Sequence, residues 1–171
     1  FNNIGYKGMI ALSEGLKINT TLQLITLDYN NIGDEGMIAL SQGIMLNNGL
    51  HEISLIYNNI GEEGMKILGK ALEINNTIVD IDLSCNLFES KGCIYLADVL
   101  RNNKSIEIMN LSNNRIGSEG CCILSEGLKV NSTLIKLCLG HNYIGWDMTD
   151  AFIDFVVSDR SEERRVGKEC L

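Results

Sequence analysis

Leu22, Leu50, Ile78, Ile106 and Leu134 follow one another at intervals of 28 residues without a slip. The same step joins Ile25, Ile53, Ile81, Met109 and Leu137, and also Leu27, Leu55, Leu83, Leu111 and Leu139. A fourth column is polar: Asn30, Asn58, Asn86, Asn114 and Asn142. Phase kept over so many columns marks an array of like units, each too small to hide its own apolar residues. Residues 1–21 form a partial unit, in which Asn2, Ile4, Gly5, Gly8, Leu12, Leu16 and Asn19 fall on matching positions, and five full units follow. The chain begins inside a repeat and reads as a stretch of a longer array.

Each unit opens with L-x-x-[IL]-x-L-x-x-N-x-[IF], whose period-two alternation predicts a short strand with one buried face. Leu22 interrupts the alternation and marks a bend. A second segment, as in "IGDEGMIALSQGIMLNN", places Met37, Leu40 and Ile44 at three- and four-residue spacing, which gives one apolar stripe on a helix. Asp34, Ser90 and Ser118 are expected to start these helices as caps, with Glu35, Glu63 and Glu119 in the first turn facing the positive end of the macrodipole. Asn47, Asn75, Asn103 and Asn131 mark the exits. There are 17 glycines and no proline, so one turn design is used repeatedly. Gly33, Gly61, Gly117 and Gly145 are expected at a reversal that calls for positive φ. Gly36, Gly64, Gly92 and Gly120 should let the helix approach the strand layer. Phe88 and Glu89 replace the isoleucine and the first glycine, so that loop should be distorted.

Parallel strands stack ~4.8 Å apart, whereas helix axes need roughly 8–10 Å, so the strands must line the inner curve. The expected fold is α/β, a solenoid or horseshoe with parallel strands on the concave face and helices on the convex face. Asn30, Asn58, Asn86, Asn114 and Asn142 should form a structural ladder, because a buried amide can satisfy loop backbone groups that neither strand nor helix reaches.

These motifs resemble the ribonuclease-inhibitor class of leucine-rich repeats, over residues 1–158. The wording of "NNIGDEGMIALSQGI" and "NLSNNRIGSEGCCILSEGLKVN" is most similar to the repeat domain of nucleotide-binding leucine-rich-repeat (NOD-like) receptors, and related arrays occur in Ran GTPase-activating proteins. The resemblance implies a non-catalytic protein-recognition module in a cytosolic receptor or scaffold, with protein partners that include other domains of the same parent. A GTPase-activating regulator of a Ran-like GTPase and a cytoskeletal or ciliary scaffold are the alternatives. Residues 159–171 leave the repeat, and "RSEERRVGKEC" resembles the translated read-through of a sequencing adapter. Trp146, Met148 and "DAFIDFVV" depart from the last unit's pattern, as drift first of all, as a cap, or as a seat for a following segment.

Side chains between the buried strand positions point out from the concave face. They include Tyr29 and Tyr57, which offer large contact area with a polar tip, and Asp28, Glu52, Ile56, Asp80, Asp82, Asn113 and His141. These are the candidate binding residues. The formal charge is -8, from 14 basic and 22 acidic residues, and it disfavours a nucleic-acid partner. No run approaches the roughly 20 apolar residues of a membrane span, so no membrane partner is expected, and the cysteine pattern fits a reduced setting, with the cytoplasm as the expected location. Cys93 and Cys121 share a helix position with Met37 and Met65 and read as small core residues. Neither C-x-x-C pairs nor histidine clusters suggest a metal, no P-loop occurs, and no cofactor is expected. Cys85 and His141, two strand steps of ~4.8 Å apart, are too distant for a catalytic pair, so neither a catalytic residue nor an enzyme is expected.

Overall fold

A computed structural model describes residues 2–145. Helices and strands alternate: α1 (Gly5–Ile18), β1 (Leu24–Thr26), α2 (Gly33–Leu46), β2 (Glu52–Ser54), α3 (Glu62–Ile74), β3 (Asp80–Asp82), α4 (Gly92–Asn102), β4 (Ile108–Asn110), α5 (Gly117–Leu128) and β5 (Lys136–Cys138). The strands form one parallel sheet in chain order. Register follows the repeat: Ile25 pairs with Ile53, Ile53 with Ile81, Ile81 with Met109 and Met109 with Leu137. The helices pack on one another in the same order, α1 to α5. The fold is therefore the expected leucine-rich-repeat solenoid. The departures at Trp146, Met148 and "DAFIDFVV", and residues 159–171, lie outside the described residues.

The periodic residues build the core. Leu50, Leu55, Ile78, Ile81 and Leu83 are fully buried between sheet and helices, as are Met37, Leu40, Ile44, Met65, Leu68 and Leu72 from the helix stripes. Burial of such a side chain contributes about 1.5–3 kcal/mol, and the column runs through every unit boundary. Cys93 and Cys121 are buried where methionine stands in earlier units. Their thiols are free, and burial pushes them up to about 12 and about 11. Cys122, the next residue, is exposed.

The loop asparagines form the expected ladder. Asn58 Oδ1 accepts the N–H of Asn30 at 3.0 Å and of Ile32 at 3.4 Å, while its Nδ2 donates to Leu27 O at 2.9 Å and Ile56 O at 3.2 Å. Asn86 repeats this between Asn58 and Ile60 on one side and Leu55 and Leu83 on the other. The helix-exit asparagines form a second ladder that their reading as simple stops does not contain. Asn47 Oδ1 accepts the N–H of Gly49 and Leu50, and its Nδ2 reaches back 2.8 Å to Leu16 O and 2.7 Å to Asn19 O in the preceding unit. Asn75, Asn103 and Asn131 are buried at the same position and also bond back into the preceding unit.

Three local expectations change. Asp34, Ser90 and Ser118 do not cap their helices, because the N-cap position of α2 and α5 is the loop isoleucine, already in helical conformation. Asp34 and Ser118 thus lie inside the first turn, Ser90 precedes α4, whose N-cap is Lys91, and all three reach sideways to the next unit. Asp34 Oδ1 accepts the Gly61 N–H at 2.7 Å, Ser118 Oγ accepts the Gly145 N–H at 3.1 Å, and Ser90 Oγ donates to Glu119 Oε2 at 2.8 Å. Gly33 and Gly117 have φ of +60° and +63°, but Gly61 is extended, at φ -102°. The close approach at Gly36 is to its own loop, since a Cβ there would lie 2.5 Å from Ile32 Cγ2. The loop at Glu89 is distorted as expected. Gly92, Cys93 and Ile94 donate to carbonyls three residues back, α4 starts only at Gly92, and Phe88 fills the isoleucine's place fully buried.

Candidate protein-binding face

Three residues beyond each strand the chain turns out of the sheet. Tyr29, Tyr57, Cys85, Asn113 and His141 all have left-handed φ, between 56° and 59°, a conformation that costs a side-chain-bearing residue roughly 1–2 kcal/mol. The ladder holds them there. Tyr29 N–H still donates to Ile56 O, and Tyr57 N–H to Ser84 O, while the asparagine that follows folds back onto carbonyls two and three residues earlier. The five side chains therefore leave from equivalent points along one rim of the concave face. Tyr29 and Tyr57 stack there, with ring centroids 4.9 Å apart and planes 10° from parallel, and Tyr57 is 53% exposed.

The acidic candidates divide by their partners. Asp28 Oδ1 accepts the Ser54 hydroxyl at 2.6 Å and the Ile56 N–H at 3.1 Å, which ties β1 to the unit of β2. Asp82 is likewise engaged, with the Ser84 N–H and Asn110 Nδ2 each at 2.8 Å. Glu52 and Asp80, opposite each other in register, stand beside them, Glu52 exposed and Asp80 half-buried. Burial raises the Asp80 carboxyl above its ordinary range, repulsion from Glu52 and Asp82 adds to this, and Lys136 opposes it. Ile56 is half-buried in the same surface. The face is acidic and aromatic over β1 to β3, and it turns neutral to basic over β4 and β5, where Ile108, Asn110 and Lys136 follow.

Asn113 and His141 are exposed and line a groove of about 530 Å³ with Tyr57, Cys85, Arg115 and Tyr143. Arg115 and Tyr143 were not singled out by the sequence reading. They occupy the variable position after the ladder asparagine, and the change from Asn31 and Asn59 to Leu87, Arg115 and Tyr143 is the signal that marks it. Cys85 and His141 sit two strands apart on this rim, and burial raises the Cys85 thiol, with the Asp82 charge adding to it. A raised thiol is a weaker nucleophile at neutral pH. Among the described residues no group of three or more His, Cys, Asp or Glu side chains could hold a metal ion. No helix among them is long and apolar enough to cross a membrane.

A family model described as Leucine Rich repeat matches residues 19–41 and 102–121. No curated protein matches the chain in sequence. Among solved structures, the chain is similar to actin-binding site 2 of leiomodin-1, at 17% identity and a TM-score of 0.74, over 90% of this chain and 86% of that one. It is also similar to the C-terminal domain of tropomodulin from Caenorhabditis elegans, at 14% identity and a TM-score of 0.68, over 88% and 90% of the two chains. The repeats are thus leucine-rich repeats, and the solenoid is shared with these domains. None of these matches is to a NOD-like receptor.

Proposed function

We propose that this chain is a non-catalytic protein-recognition module that docks its partner across the concave face. The observation that carries this reading is the stacked Tyr29–Tyr57 pair, on the same concave face as the carboxylates of Glu52 and Asp80 and on a doubly laddered frame. Tyrosine is enriched where binding energy concentrates, and the carboxylates of the same face favour a partner with basic groups. Ile56, Asp28, Asp82, Asn113 and His141 extend the same surface. Of the finer readings, a cytoskeletal scaffold has the support of likeness in fold to an actin-binding site of leiomodin-1. The segment of a cytosolic NOD-like receptor rests on the wording of the repeats alone.

Titration with fluorescently labelled monomeric actin tests both the partner and the face. Saturable binding is expected, weakened about tenfold or more by Tyr57→Ala with the circular dichroism spectrum unchanged. Failure of the intact chain to bind actin overturns the scaffold reading. Actin binding that is indifferent to Tyr57→Ala overturns the assigned face. Acceleration of GTP hydrolysis by a Ran-type GTPase replaces both readings with the regulator.

A further inference from the structure

The protein has a formal charge of -8, and Asp28, Glu52, Asp80 and Asp82 make one half of the concave face acidic. The rim groove of about 530 Å³ is the exception. Among the described residues that line it there is no aspartate or glutamate, and Arg115 is the only lysine or arginine. Around Arg115 stand Tyr57, Leu87 and the side-chain amides of Asn59 and Asn113, all of them exposed. Arg115 Nη1 comes within 4.0 Å of Glu89 Oε1, and both side chains stand mostly in water. Such a pair holds its charges loosely, so the guanidinium keeps its fork of donors open to a carboxylate.

A change of backbone path builds this groove in the middle of the array. Asn31 and Asn59 hold left-handed φ, of 52° and 57°, and Asn59 Nδ2 donates to Asn31 Oδ1 at 2.8 Å. Leu87 and Arg115, the next two residues of that column, are not left-handed. Their loops run beside one another instead. Leu87 N–H donates to Ile60 O at 2.9 Å, Arg115 N–H donates to Phe88 O at 3.2 Å, and Glu89 bridges to Arg115 in parallel. The row of amides stops there, and a leucine that is 45% exposed takes its place ahead of the cation. The units of β2 and β5 flank this step on either side.

Charge and spacing specify the occupant. Neighbouring units stand ~4.8 Å apart at the sheet and an extended chain advances ~3.3 Å per residue, so a side chain over Leu87 leaves the group over Arg115 one or two residues further on. We infer that the groove takes an acidic, extended segment of the partner protein, with an aromatic side chain against Tyr57 and Leu87 and an aspartate or glutamate on Arg115. Resting on the protein-recognition reading above, this assignment gives the partner a direction. Basic groups over Glu52 and Asp80 and an acidic segment over Arg115 fit the face in one orientation only, since reversal sets like charges together.

The probe is the fluorescein-labelled peptide GSFDDSG, titrated against the full chain by fluorescence anisotropy, with GSFNNSG and GSADDSG as controls. Saturable binding of GSFDDSG is expected, with each control about tenfold weaker. Arg115→Gln, at an exposed side chain, should bring GSFDDSG down to the level of GSFNNSG with the circular dichroism spectrum unchanged. Absence of GSFDDSG binding, equal binding of either control, or binding that survives Arg115→Gln overturns the inference. So does displacement of the peptide by a single-stranded oligonucleotide, or a peptide-free dimer that Arg115→Gln dissolves, since the groove would then hold nucleic acid or a second copy. The actin titration of the unaltered chain is read separately, so that a failed groove and a failed recognition reading are told apart.

Discussion

Leu50 and Leu22 occupy the same position of the same consensus, yet Leu50 is fully buried and Leu22 is 38% exposed. Asn58 and Asn30 differ in the same way: Asn58 fills its hydrogen-bonding capacity across a boundary, and Asn30 leaves Oδ1 without a partner. The residues are alike and their neighbours are not. In this array a consensus side chain therefore contributes according to the unit stacked on it, and stability resides in boundaries between units more than in any one unit.

The sharpest way to break that comparison is a matched pair of truncations followed by denaturant unfolding. Leu50→Ala should cost about 2–5 kcal/mol, whereas Leu22→Ala should cost less than about 1 kcal/mol because water already reaches it. Equal losses would mean that the leucine column is not the core. Asn58→Ala should come next, at about 2–3 kcal/mol, since it strands buried donors and acceptors in two units. Asn30→Ala should cost about half as much, because only its bonds to Leu27 O and Asp28 O are lost. A ladder that contributes nothing would show no ranking between the two.

The smallest effect concerns the concave surface, where charge is not balanced. The raised Asp80 pKa means that the folded state holds this proton more tightly than the unfolded chain does. Its carboxylate thus costs stability at neutral pH, and the cost is relieved as pH falls through the folded-state pKa. Asp80→Asn should accordingly raise the melting temperature slightly at pH 7, with the gain shrinking toward acid pH. A gain that is the same at all pH values would show that burial of the Asp80 carboxylate, with the repulsion from Glu52 and Asp82 that adds to it, is not its source.

Much of this molecule was legible in its sequence because burial repeats with the period. Strand register, the helix stripes and the loop ladder all follow from columns that recur in phase, and the distorted loop at Glu89 followed from a broken column. The legible part ended where two units meet. Asp34 and Ser118 carry the residue types of helix caps, but the helix starts two residues earlier than the cap pattern implies, so their side chains serve the next unit instead. Asn47, Asn75, Asn103 and Asn131 look like helix exits, and their bonds to carbonyls of the preceding unit are invisible to any local pattern. Among the candidate binding residues, Asp28 and Asp82 look as free as Glu52 and Asp80 in the sequence. Only cross-strand geometry shows that the first two are engaged by their own sheet.

The sequence by itself determined the architecture, because a fixed spacing of leucine, asparagine and glycine leaves a short β-α unit no way to bury its apolar face except against another like it. The tertiary structure decided what each outward side chain does. Left-handed turns throw Tyr29 and Tyr57 into a stack, and parallel register brings Glu52 against Asp80. Those outcomes depend on distances between residues a full repeat apart, and spacing along the chain does not encode them.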